Sequence, residues 1–117
     1  MRLTDRRVRT DKWYTVGWSP VLEKYVLAIT VGWLANYERY YEISREEYEQ
    51  TLTEPQALDE SAQQLFAAVN NSERFICSEK SDENTAEQNA LAVKLLKEKN
   101  EYYSAHPEAV KDFVDIK

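Results

Sequence analysis

Apolar and polar positions alternate most regularly between Tyr25 and Trp33. Tyr25, Leu27, Ile29, Val31 and Trp33 share one face there, and Val26, Ala28, Thr30 and Gly32 share the other. A period of two, with large residues on one side and small ones opposite, describes a central β-strand with one face in the core. The small face leaves room for a closely packed helix or a partner. A helix starting at Ser19-Pro20 fits less well, because of the β-branched residues and Gly32. Trp13 to Trp18 reads as an earlier strand, ended by the Ser19-Pro20 turn signal. Glu38 to Ile43 is a third strand, with Leu34 to Tyr37 as the turn before it. Short connections between consecutive strands imply an antiparallel meander.

Beyond Ile43 the pattern becomes helical. Ser44-Arg45-Glu46-Glu47 is a capping box opening a short helix from Arg45 to Leu52. Thr53-Glu54-Pro55-Gln56 reads as a second box, opening a helix to Val69 with a stripe of Leu58, Ala62, Leu65, Phe66 and Val69. Arg74 to Ser78 suits a short fourth strand. A long helix follows from Thr85 to Ser104, buried through Leu91, Ala92, Leu95, Leu96, Tyr102 and Tyr103, and a last turn carries Val110, Phe113 and Val114. Strands followed by helices place the chain in the α+β class: a small antiparallel meander of three to four strands with helices packed on one face. At 117 residues it is expected to be one domain.

Charge changes the picture more than composition does. The net charge is −6, but residues 1–12 carry +3 and residues 38–60 carry −6. The basic stretch, diluted by Asp5 and Asp11, reads as a flexible, solvated N-terminal arm. A protein that tracks phosphates needs a basic working face, so direct nucleic-acid binding is not expected. The acidic segment favours a basic protein partner instead. No apolar run is long enough for a signal peptide or a membrane-spanning helix, and a cytoplasmic location is expected.

Candidate chemistry is sparse. A single cysteine, Cys77, excludes an internal disulfide and a multi-cysteine zinc site, and two glycines exclude a glycine-rich phosphate loop. Glu46, Glu47, Glu49, Asp59 and Glu60 are contiguous helix-start acids rather than a pair facing each other across a cleft. His106 has no nucleophile or orienting partner in sequence, and Cys77 has an acid nearby instead of a base. No catalytic residue, cofactor or metal is therefore expected. The aromatics are the more informative set: Trp13, Trp18, Trp33, Tyr37, Tyr40 and Tyr41 crowd beside the acidic segment. Strand alternation sends Tyr40 and Tyr41 to opposite faces, so one of them is expected on the surface. Exposed aromatics beside acids are the composition of an interface hot spot.

The run from Tyr37 to Tyr48, Y-E-R-Y-Y-E-I-S-R-E-E-Y, follows a strand ending Val31-Gly-Trp33. Over residues 25–50 this resembles small bacterial immunity proteins of contact-dependent inhibition and related polymorphic toxin systems. The resemblance implies a cytoplasmic protein that binds one toxin domain, often a nuclease, and blocks it without chemistry of its own. On that reading Glu46, Glu49, Asp59 and Glu60 engage a basic rim on the toxin, and Trp33, Tyr40 and Tyr41 supply apolar anchors. The alternative class is a small acidic secretion chaperone or adaptor that binds an effector segment. An enzyme acting through carboxylates ranks third.

Overall fold

The computed structural model describes residues 1–117. The chain forms six strands and three α-helices: β1 (Thr4–Arg9), β2 (Tyr14–Ser19), β3 (Lys24–Val31), β4 (Tyr37–Ile43), α1 (Arg45–Gln50), α2 (Asp59–Ala68), β5 (Phe75–Ser78), α3 (Ala86–Ala105) and β6 (Phe113–Asp115). The strands make one sheet in the order β5-β4-β3-β2-β1-β6. Neighbours pair antiparallel except β1 and β6, which run parallel. The class is α+β, but the sheet is larger than the expected three or four strands and is mixed.

The central meander follows the alternation. Leu27 sits opposite Val16 and Tyr41, and Ala28 opposite Thr15 and Tyr40. Leu27, Ile29, Val31 and Tyr41 join Tyr14, Val16 and Ile43 under Tyr48 of α1 and Leu58, Ala62 and Leu65 at α2. The small face is also covered: Val26, Ala28, Tyr40 and Cys77 pack with Met1, Leu3 and Leu95 of α3. Helices therefore lie on both faces, which corrects the one-face expectation. It also corrects the expected surface tyrosine, since Tyr40 and Tyr41 are both buried, on opposite sides of the sheet.

A further correction concerns the N-terminal stretch, which is a strand and not a flexible arm. Each arginine finds a fixed partner. Arg2 donates to Glu98, and Arg6 donates to the carbonyls of Ala109, Val110 and Asp112. Arg7 stacks on Tyr48 and donates to the Tyr48 carbonyl and Thr51 Oγ1, while Arg9 forks onto Asp59. A guanidinium whose donors meet carbonyls and carboxylates is no longer a solvated charge, so a basic run becomes an inner strand.

Helix starts follow their caps. Ser44 and Glu47 form the reciprocal box at α1, and Thr85 and Gln88 do the same at α3. The second expected box does not form. Thr53 Oγ1 donates back to the Gln50 carbonyl, turns fill the chain to Leu58, and α2 begins only at Asp59. The tail expected as one last turn is a 3-10 turn, Pro107–Lys111, followed by β6.

Candidate functional site

The sheet end where β1 turns into β2 and β3 runs out carries an open cleft of about 910 Å³. Its floor is Ile29 of β3 and Ala62 of α2, and its walls are Trp13 and Phe66, which are 56% and 50% exposed. Asp11, Asp59, Glu60 and Lys12 supply the charges along it. That size falls within the range of ligand-binding clefts.

Each wall has a local cause. Thr10–Lys12 forms a single 3-10 turn between β1 and β2, and the chain leaves it through Trp13 with φ 61° and ψ 39°. This left-handed position in a hairpin connection belongs by preference to glycine or asparagine, and a bulky residue there costs about 1–2 kcal/mol. The conformation is held because the Trp13 carbonyl accepts the Thr30 N–H at 2.9 Å, which ties the turn to β3. Phe66 is the outward member of the α2 stripe, and the Arg39 guanidinium lies 5.5 Å from its ring centre.

Asp59 is a fixed part of the cleft. Its carboxylate accepts from Arg9 Nε at 3.1 Å, Arg9 Nη2 at 2.9 Å and the Tyr14 hydroxyl at 2.6 Å. The Arg9 hydrogen bonds hold its pKa below the ordinary carboxylate value against the opposing effect of burial, and Tyr14 adds to the lowering. Asp59 thus fastens the start of α2 to β1 and β2 through three hydrogen bonds, two of them from Arg9. Glu60 and Asp11 are exposed and have no ion-pair or hydrogen-bonding partner, which leaves them free to meet a ligand.

The other expected site residues scatter. Trp33 is 65% exposed in the loop after β3, next to cleft-lining Gly32, with Lys80 Nζ 4.7 Å from its ring centre. Glu46 and Glu49 project from α1, where Glu49 accepts from Arg45 at 2.8 Å. That helix sits at the opposite end of β3, because its Tyr48 stacks on Tyr25 at 4.6 Å. Six strand residues lie between Tyr25 and Gly32, which puts the two roughly 23 Å apart along the strand. Tyr40 and Tyr41 are removed from any surface. The Tyr40 hydroxyl lies among the Met1 nitrogen, Glu38 and Glu79, and the Tyr41 hydroxyl points at the carbonyls of Leu65 and Val69.

Of the eleven residues lining the cleft only Asp59 and Glu60 are site candidates in the sequence; Trp13, Asp11, Gln63 and Phe66 are among the others. Trp13 stands out as an aromatic, but its place at a hairpin turn depends on pairing of β1 with β2, which the basic run conceals. Phe66 sits in a helical stripe, a pattern that points to the core.

Groups with potential chemistry are otherwise engaged. Burial pushes the Cys77 thiol up to about 11, far from a reactive thiolate at neutral pH. Burial alone would raise Glu83, but hydrogen bonds from Arg39, Ser78 and Tyr37 outweigh it and hold the carboxyl at about 2. His106 stacks on Tyr102, with Nδ1 3.1 Å from the Tyr102 carbonyl at the end of α3.

Fold and site together define an α+β domain with an open, aromatic-walled, acid-rimmed cleft. Comparison of the chain with protein families, curated proteins and solved structures finds no match.

Proposed function

We propose that this chain is a bacterial immunity protein that binds a cognate toxin domain through direct contact and blocks it in the cytoplasm. The observation that carries the reading is the conjunction at one sheet end of two exposed aromatic walls with free carboxylates at Asp11 and Glu60. Aromatic area beside unpaired acids suits the basic surface of a nuclease-like domain, with complementary charge speeding encounter. The likeness of residues 25–50 to immunity proteins supports the same reading. Trp33 extends the apolar area, whereas Glu46 and Glu49 lie at the far end of β3 and outside this surface.

The test is co-expression of the tagged chain with the C-terminal domain of the protein encoded immediately upstream of it, where the gene of a cognate toxin is expected. The expected result is a stoichiometric complex that weakens as salt is raised, together with protection of cells from that domain. Absence of both complex and protection overturns the proposal. A dimer that captures only an unfolded segment of that domain identifies a secretion chaperone or adaptor instead.

A further inference from the structure

We propose that the cleft beside Trp13 is the docking site for an arginine-bearing loop of a basic partner protein. The guanidinium enters against the aromatic walls and pairs with the carboxylates of Asp11 and Glu60. The inference takes from the proposed function only that the partner is a protein; the rest comes from the cleft. Trp13 occupies a left-handed backbone position that a glycine would fill without strain, yet its indole is left more than half exposed. The turn, held by the Thr30 N–H bond to the Trp13 carbonyl, keeps the indole at the mouth of the cleft and outside both cores.

The charges point to a cation. Asp59 already carries the Arg9 fork and the Tyr14 hydroxyl, so its charge is met within the chain and it stiffens the cleft. Asp11 and Glu60 remain unpaired, and Lys12 is the one base among the lining residues. Phosphate groups are repelled by such a rim. A guanidinium is favoured over an ammonium because its plane stacks on an aromatic face while its edge forks onto a carboxylate. An open cleft of this size also admits the residues flanking an arginine, which fits a protruding loop.

The test uses the free chain, labelled with nitrogen-15 and titrated with the peptide acetyl-Leu-Arg-Leu-amide. Its neutral isostere, with citrulline in place of arginine, is the comparison. Saturable shifts are expected at the Trp13 indole N–H, assigned through Trp13→Phe, and at the Glu60 and Gln63 amides. Citrulline should bind about tenfold more weakly, the equivalent of one charge-assisted contact. A variant carrying both Asp11→Asn and Glu60→Gln should bind the arginine peptide no better than the citrulline one. Both positions are exposed, so its spectrum should otherwise match the parent.

Equal binding of the two peptides, shifts located elsewhere or no saturable shift overturns the proposal. So do concentration-dependent shifts at the cleft without peptide, which would assign it to a second copy of the chain. The two proposals fail separately. Peptide binding without a toxin complex overturns the immunity reading alone, and a toxin complex that keeps its affinity in Glu60→Arg overturns the cleft alone.

Discussion

A Cβ built on Gly17 would meet the Thr4 carbonyl oxygen at 2.9 Å and Leu3 Cβ at 3.0 Å. The crowding arises where the register of β1 against β2 shifts between Thr4 and Arg7, with Asp5 at φ 50°. Such a bulge brings one backbone onto another, and backbone does not yield cheaply. Gly17→Ala should therefore destabilise the protein by about 1–3 kcal/mol, read from urea unfolding. Glu83 gives a residue-scale prediction in pH. Its folded pKa of about 2 lies below its ordinary 4.5, so its stabilising contribution is present above 4.5 and is lost as pH falls toward 2. The penalty of Glu83→Gln should be large at pH 6, where Arg39 loses its charged partner, and should shrink progressively between pH 4.5 and 2. An equal penalty at pH 6 and pH 2 in urea unfolding would show that the Arg39 pairing is not its source.

At the scale of elements, α3 tests whether the second face of the sheet is a real core. Leu95 is its one fully buried side chain, against Val26, Ala28, Tyr40 and Cys77. Leu95→Ala should cost about 2–5 kcal/mol, while Leu96→Ala beside it, on an exposed position, should cost far less. Ser44→Ala should remove about 1 kcal/mol with the capping box of α1. Both sets are read by chemical denaturation. These elements are legible because their signals are local: alternation for β3 and β4, a turn signal after Trp18 for β2, the Ser44–Glu47 box for α1 and an apolar stripe for α3. β1 was not, because Arg6, Arg7 and Arg9 look solvated until the carbonyls, the Tyr48 ring and Asp59 that hold them are brought in by the fold. The cleft was half legible for the same reason. Asp59 and Glu60 stand out as helix-start acids, but the Trp13 wall exists only if β1 pairs with β2. The start of α2 was misplaced because Thr53 is used to close α1 rather than to open a new helix.

At the scale of the molecule, the two cores share their strands: Leu27 and Tyr41 serve one, Val26, Ala28 and Tyr40 the other. Alternate residues of the same backbone cannot lose one face and keep the other in register, so the two should melt together. Tryptophan fluorescence and far-ultraviolet circular dichroism should give coincident urea transitions. Cys77, under α3, should react with a thiol reagent only through that same opening, with labelling that accelerates in step with unfolding; fast labelling without urea would mean that α3 lifts by itself.

The parallel pairing of β1 with β6 joins Arg6 to Phe113 and Arg7 to Val114. During synthesis β1 emerges first among the strands and β6 last, so a growing chain holds β1 with an unoccupied outer edge until almost everything else has been made. An edge in that condition invites pairing with neighbouring nascent chains. The guanidinium groups at positions 6, 7 and 9 surround the lone Val8 with like charge during that interval, and charged residues beside an apolar one act as gatekeepers against aggregation. The arginines that anchor the finished sheet thus also protect its longest-waiting edge.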